Sequence, residues 1–487
     1  MSNVNLQPLC FYYARCGYSR HLQTVCREGI KKRGKDPVLV FWLAFGLASE
    51  GANTEAIREL DSVASRRPCI VAGPLALVWA HKRCRLVDHE AVRKAEEMLT
   101  SQESGADEES LLLAATFLFL IGKNEKAVKT NDKVLEMNPG NPASSALRGW
   151  LELSSIRESL VNKSVKTFDD VLEKTQKKDL YALMGKAAFH FRMKQYKDAH
   201  DVYTHLMVIY PWFIPALGEI AKSQVALGDW DQAMDTCQRS LSHNPSDITC
   251  MLLVCIHTLA LQGKGSLAAQ KVGDLVAIIE SSEPMNAQLH YSVAAALARL
   301  AGRHPGVLNV VAGLIERAMS MEPENSQTIT ECAYINFLLE DYQNADALYK
   351  QAVNLDSGNN VALLGSIRTL IVMGNLSEAA SQLEFLSAIQ MATGSTSEVE
   401  FLSALLAWKK DRDPLVHVEH LSQALDLHLK VIPTSFDGSL PGIIEANPEY
   451  MLTLVRELSE HWPVDPINGG EPQPPALSKA SQLIDVI

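Results

Sequence analysis

Several signatures of a functional class are missing from this 487-residue sequence. Its nine cysteines include no C-x-x-C pair, and an odd, scattered set makes no disulfide framework. Cys10, Cys237, Cys250 and Cys332 fall within helical patterns, where a thiol behaves as a small hydrophobe. That usage points to a reducing compartment. Positive charge is also scarce: the net charge is −12 and the pI about 5.7. Nucleic-acid binders carry a basic footprint, so no nucleic-acid partner is expected. The one dense basic run, Arg27 to Lys35, falls where a helix should end, and cations there complement the helix dipole. The most apolar run, Leu111 to Ile121, is too short to span a bilayer. The opening "MSNVNLQPLC" has no basic stretch followed by an apolar one, so it does not read as a secretory signal. The expectation is a soluble protein without direct membrane insertion.

Catalytic constellations are missing too. "GKAAF" at Gly185 has no upstream glycine at phosphate-loop spacing. There is no G-x-S-x-G and no Gly-rich dinucleotide loop. In "VHVEH", His417 and His420 stand three apart with His428 two turns on, but a zinc protease needs two histidines at i, i+4 around a glutamate. These histidines are read as surface residues. Cys250 and Cys255 are five apart, a poor match to one helical face, and are read as core. No catalytic residue, no cofactor-binding residue and no metal ligand is therefore expected, and the chain is read as a non-enzyme that needs no cofactor.

What is present is a period. Hydrophobic residues make up 47% and charged residues 21%, ordinary values for a chain that buries a large core. Length alone suggests roughly three domains, but that prior fails for a repeat array. "KQYKDAHDVYTHLMVIYP" (194 to 211) and "GDWDQAMDTCQRSLSHNP" (228 to 245) align at a shift of 34. Tyr196 then falls on Trp230, Ala199 on Ala233 and Pro211 on Pro245. The step recurs between Ala318 and Ala352 and between Ala345 and Ala379.

Each recurring position has a mechanical reason. Ala199, Ala233 and Ala345 lie where the two helices of a hairpin cross. Tyr196, Trp230 and Tyr342 open the second helix and plug the space behind the turn. Gly51, Gly122, Gly228 and Gly374 occupy the turn, where positive φ costs glycine nothing. Pro68, Pro139, Pro211, Pro245 and Pro323 close units, because proline cannot continue a helix. A 34-residue hairpin cannot bury its own face, so neighbours must stack. This is the tetratricopeptide period.

The fold class expected is all-α, a superhelical solenoid of about twelve helical hairpins. They should begin near residues 5, 37, 70, 108, 142, 180, 214, 248, 286, 326, 360 and 395. The units from 142, 248 and 286 are longer than the period. "MATGSTSE" (391 to 398) reads as a polar turn. The solenoid should run over 1–462, with one more helix from Pro448 to Trp462. A Pro/Gly-rich linker follows at 463–475, and 476–487 reads as the start of an incomplete further helix. The chain is expected to be part of a longer design, with an uncapped C-terminal end. Solenoids bind partners on their concave face. The candidate groove residues are Phe41, Phe45, Phe119, Tyr181, Met184, Phe191, Lys222, Tyr334, Phe337 and Arg368. Met184 and Ala188 stand where a clamp for acidic peptide tails would need polar donors, which weighs against a chaperone-tail receptor.

Some stretches resemble one family beyond the generic repeat. They are "EGIKKRGKDPV" (28 to 38), "GDWDQAMDTCQRSL" (228 to 241), "EPMNAQLHYSVAAALARLAGR" (283 to 303), "QLEFLSAIQ" (382 to 390) and "SEVEFLSALLAWKK" (397 to 410). In collinear order over nearly the whole chain, they resemble the N-terminal part of the tetratricopeptide repeat protein 21 family. That family supplies the large repeat subunit of intraflagellar transport complex A (IFT-A). The resemblance implies a scaffold for retrograde ciliary transport and for entry of membrane receptors into the cilium. It implies partners among the other subunits of that complex and, indirectly, retrograde dynein and ciliary membrane cargo. It places the protein in the cytoplasm and in the cilium, at the axoneme and basal body. Two other readings fit the repeats themselves: a cytosolic adaptor or co-chaperone binding peptides in its groove, and the regulatory repeat region of an enzyme whose catalytic domain is missing here.

Overall fold

The computed structural model describes residues 5–103, 105–390, 395–431, 439–460 and 481. The described chain is helical, with no β-strand among those residues. It opens with α1 (Gln7–Arg15) and α2 (Ser19–Arg33), α3 (Pro37–Ser49) and α4 (Asn53–Asp61), and α5 (Ala72–Lys82) and α6 (His89–Glu103). Next come α7 (Glu108–Leu120) and α8 (Asn124–Met137), α9 (Pro142–Leu153) and α10 (Glu158–Lys174), and α11 (Leu180–Arg192) and α12 (Tyr196–Ile209). Then follow α13 (Pro215–Ala226) and α14 (Trp230–His243), α15 (Ile248–Ile256) and α16 (Gly265–Ser282), and α17 (Ala287–Leu300) and α18 (Pro305–Met321). The last pairs are α19 (Ser326–Leu338) and α20 (Tyr342–Leu355), α21 (Asn360–Met373) and α22 (Leu376–Gln390), and α23 (Ser397–Leu406) and α24 (Pro414–Leu429). Two further helices end the described chain, α25 (Leu440–Ala446) and α26 (Pro448–Ser459).

The local chemistry explains these boundaries. Asp36, Asp107, Asn141, Asp179 and Asn359 each accept a backbone N–H at the start of a first helix. Such caps are worth about 1 kcal/mol each. The turn glycines Gly51, Gly122, Gly228 and Gly374 have φ of 90°, 74°, 81° and 86°. Tyr196, Trp230 and Tyr342 are the first residues of α12, α14 and α20. Ala199, Ala233 and Ala345 are fully buried at the crossings. Gly149 and Gly185 serve a different need, which the period does not announce. A Cβ at either would lie within 2.5 Å of the Phe168 ring, so their absence of a side chain lets α9 and α11 close on α10.

The three long units absorb their extra residues inside helices. Helices α10, α16 and α18 have 17, 18 and 17 residues, against 14 in α12 and α14. Residues 257–261 after α15, and 407–411 after α23, form π-helical turns. A π turn takes up an inserted residue without ending the helix.

The chain divides into two compact units. One comprises Met1–Cys250 with Ile278–Asn286; the other comprises Met251–Ala277 with Ala287–Ile487. The linker expected at 463–475 and the further helix at 476–487 lie outside the described residues, Ser481 apart. So do residues 391–394 of the polar turn.

Candidate partner-binding surfaces

In the first unit, α1 takes up part of the inner face. Helix α2 packs along α3, and α1 packs on α2. Helix α1 turns inward across the first helices of later pairs. The Phe11 ring lies 6.3 Å from Phe119 of α7, 5.6 Å from Trp150 of α9 and 5.4 Å from Tyr181 of α11. The Tyr12 hydroxyl donates to Glu219 Oε1 of α13 at 3.0 Å, and its ring meets Phe213 edge-on. The Arg15 guanidinium sits 4.7 Å over the Trp150 ring. Glu219 also pairs with Lys222 at 2.7 Å. Burial opposes ionisation of Glu219, but Lys222, Arg15 and the Tyr12 hydroxyl outweigh it, and its pKa falls below the ordinary glutamate value. Tyr12 is held well above the ordinary tyrosine range by burial and by Glu219.

The same unit is closed by a carboxylate. Glu283, 2% exposed, accepts from the backbone N–H of Arg20 at 3.2 Å and of His21 at 2.9 Å, and meets His21 Nδ1 at 2.7 Å. It thus caps the N-terminus of α2 from more than two hundred residues away, where the helix dipole favours an anion. Asn286 adds a bond to the Gly17 carbonyl at 3.0 Å.

The second unit repeats the arrangement with its own C-terminal helices. Helices α25 and α26 pack against α17, and α26 also reaches α24. Glu449, fully buried, accepts from Arg303 Nε at 2.7 Å. Tyr450 lies edge-on to Phe401 at 5.5 Å and to His428 at 5.0 Å, and its hydroxyl donates to the Ser397 carbonyl. Arg299 holds Glu331 by two bonds of 2.6 and 3.0 Å and lies 5.0 Å over Tyr334.

The ten groove candidates scatter over this framework, and none is exposed. Phe41 and Phe45 are buried in an aromatic cluster with Trp42, Trp79 and Phe117. Phe119 is buried, Tyr181 half-buried, and both touch α1. Met184 is buried beside them in the same core. Phe191 packs on Tyr196 at 5.3 Å, and Lys222 is engaged by Glu219. In the second unit Tyr334 lies under Arg299, while Arg368 covers Phe337 at 4.7 Å and Phe401 at 5.5 Å. As placed, Phe119 and Tyr181 meet Phe11 of the chain's own first helix.

Two histidines depart from expectation. His417 is fully buried and stacks on Trp408 at 5.3 Å, and His428 is 6% exposed with its Nε2 3.0 Å from the Ala446 carbonyl. They are packing residues, because α25 and the π turn cover the face that a lone α24 would present to solvent. Only His420 stays half-exposed, 2.7 Å from Glu400. Among the described residues, no group of three or more potential ligands is placed to hold a metal. Likewise, among the described residues, no helix is long and apolar enough to cross a membrane.

Sequence reasoning passed over the residues that take up part of the inner faces: Phe11, Tyr12 and Arg15 in α1, and Glu449 and Tyr450 in α26. The available signal was the run Phe11-Tyr12-Tyr13 on a nine-residue helix, more aromatic than a repeat needs.

Comparison with known proteins agrees with this two-part layout. Residues 10–234 match the tetratricopeptide repeat protein 21 N-terminal ARM repeat, and residues 270–487 match the second ARM domain of the same family. Human tetratricopeptide repeat protein 21B is 31% identical over 100% of this chain and 37% of its own length. The Xenopus laevis 21B protein is 33% identical over 97% of this chain and 36% of its own length. The chain thus spans a little over a third of the curated relatives it matches. Among solved structures, yeast Tom70 covers 93% of this chain and 96% of its own, at 15% identity and a TM-score of 0.39. Two successive models of one family account for both units in order, so the chain belongs to the tetratricopeptide repeat protein 21 family.

Proposed function

We propose that this chain is a non-enzymatic scaffold that serves as the N-terminal repeat region of an intraflagellar transport complex A subunit. In this reading it works in the cytoplasm and cilium and binds other subunits of that complex. Through them it supports retrograde, dynein-driven transport and ciliary entry of membrane receptors. The observation that carries the proposal is the collinear family match across both units, over 10–234 and 270–487. The fold is compatible: stacked hairpins give a long surface on which partners can dock.

Affinity capture from ciliated cells tests the reading. The tagged chain should recover complex A subunits in fixed ratio and concentrate at the ciliary base and axoneme. Recovery of chaperones alone, with no ciliary signal, would favour the cytosolic adaptor and sink the proposal.

A further inference from the structure

Cys10 of α1 and Cys26 of α2 are fully buried, and their sulfurs lie 3.7 Å apart. All nine cysteines are free thiols. Cys69 and Cys84 donate instead to the Pro37 and Ala80 carbonyls, at 3.4 and 3.5 Å, and Cys332 faces the Asn336 amide at 3.6 Å. A disulfide holds its sulfurs about 2.05 Å apart. The Cys10–Cys26 pair must therefore close by about 1.7 Å, a shift that small rotations about the two Cα–Cβ bonds can supply. The bond would tie the helix that carries Phe11, Tyr12 and Arg15 to its neighbour.

We infer that Cys10 and Cys26 form a redox latch: hydrogen peroxide converts the pair to a disulfide, and the disulfide fixes α1 on the inner face of the first unit. While α1 is seated, the pair is protected. The Cys10 thiol beside it, together with burial, holds the Cys26 pKa well above the ordinary thiol range, so little thiolate is present to react. Oxidation needs α1 to lift from α2. That helix has nine residues and no side chain capping its N-terminus, which places it among the segments that open locally. In the open state one thiol reduces the peroxide, becoming a sulfenic acid and releasing water. Reclosure brings the second thiol back to its partner. Its sulfur then attacks the oxidised one: the S–S bond forms as the S–O bond breaks, and the hydroxyl leaves as water with that thiol's proton. Two thiols and one peroxide thus give one disulfide and two waters, and a dithiol reductant reverses the change. In the oxidised chain Phe11 stays against Phe119, Trp150 and Tyr181.

The test uses the purified full chain, reduced, freed of reductant and exposed to hydrogen peroxide in graded excess. Remaining thiols are blocked with N-ethylmaleimide, and a tryptic digest made without reductant is read by mass spectrometry. Trypsin cuts after Arg15 and Arg20, so the two cysteines fall on different peptides. A cross-linked pair holding Cys10 and Cys26, abolished by dithiothreitol, is expected ahead of any pair that involves Cys69, Cys255 or Cys332. Hydrogen exchange in α1 should slow by about a hundredfold in the oxidised chain, because closing a loop of this length restricts the open state. Cys26→Ala should remove both the cross-link and the slowed exchange. Cys16→Ser changes a half-buried thiol outside the pair and should leave both. If Cys26→Ala misfolds, the cross-link in the parent chain still decides. Peroxide that leaves both thiols free, or carries either to sulfinic acid without a cross-link, overturns the inference and leaves the contact as core packing only. So does a disulfide that joins Cys10 or Cys26 to any other thiol, or one that leaves exchange in α1 unchanged.

Discussion

Removing the Phe11 ring should unfasten α1 from the inner face of the first unit. Phe11 is 2% exposed and meets three rings on three different helices. Truncating a buried phenylalanine to alanine costs about 3–5 kcal/mol through lost transfer energy and a residual cavity. Favourable ring–ring contacts add about 0.5–1.5 kcal/mol per well-formed pair. The Phe119 contact is the most distant of the three, so the expected cost of Phe11→Ala is about 4 kcal/mol. A cavity already lies beside Phe11 and would merge with the new void, so local collapse offers little relief. Loss of the ring also weakens the Tyr12–Glu219 bond, because both depend on one short helix. Urea unfolding, followed by circular dichroism and by hydrogen exchange, measures the effect. Exchange should accelerate in α7, α9, α11 and α13 and stay unchanged in α19 to α24, because stacked hairpins transmit loss mainly to their contacts. A loss below about 1 kcal/mol, or exchange that rises evenly along the chain, would refute the placement of α1.

Three other outcomes follow from the same packing. Ala233→Trp overfills a fully buried helix crossing and should cost about 1–3 kcal/mol, with exchange loosened in α13 and α14 first; full retention of stability would show that the crossing is slack. Arg303→Met leaves Glu449 buried without its main partner and should cost about 3–5 kcal/mol. The double change Arg303→Met with Glu449→Gln should recover most of that, and no recovery would mean that the pair is incidental. Burial pushes the His428 pKa below its ordinary 6.5, only partly opposed by the bond to Ala446. Below pH 6.5 the unfolded chain therefore takes up a proton that the folded one resists, so stability falls as pH drops. The urea midpoint should fall between pH 7 and 5.5 more steeply in the parent than in His428→Gln; equal slopes would remove the histidine from the account.

The repeat was written locally, and so it could be read. Hairpins expected near 37, 108, 142, 180, 248, 326 and 360 begin at those residues, and the others within two positions. Turn glycines, capping Asp and Asn, and small alanines act over a few residues, which is the range that a sequence pattern reports. Pro211 and Pro245 follow α12 and α14 by two residues, whereas Pro68 lies seven beyond the end of α4, so proline marks the end of a unit more loosely than it marks the end of a helix. What sequence could not convey were contacts between distant segments. Tyr12 and Glu219 are 207 residues apart, and His21 and Glu283 are 262 apart. A helix that also lines a groove has the same amphipathic pattern as one that only stacks beside its neighbour, so nothing in α1 announced its reach to α7, α9 and α11. Phe119 and Tyr181 carry apolar faces that any helix could cover, and the helix that covers them lies over a hundred residues upstream. The burial of His417 and His428 depended on α25 and on a π turn, neither of which has a local signature.

The central claim is that part of the inner face of the first unit is occupied in cis by the chain's own N-terminal helix. Photo-crosslinking from benzoylphenylalanine introduced at Phe11, followed by peptide mapping, tests it most directly. Cross-links within a single chain to the peptides holding Phe119, Trp150 and Tyr181 are the expected result. Cross-links between chains, or products confined to α2 and α3, would contradict it.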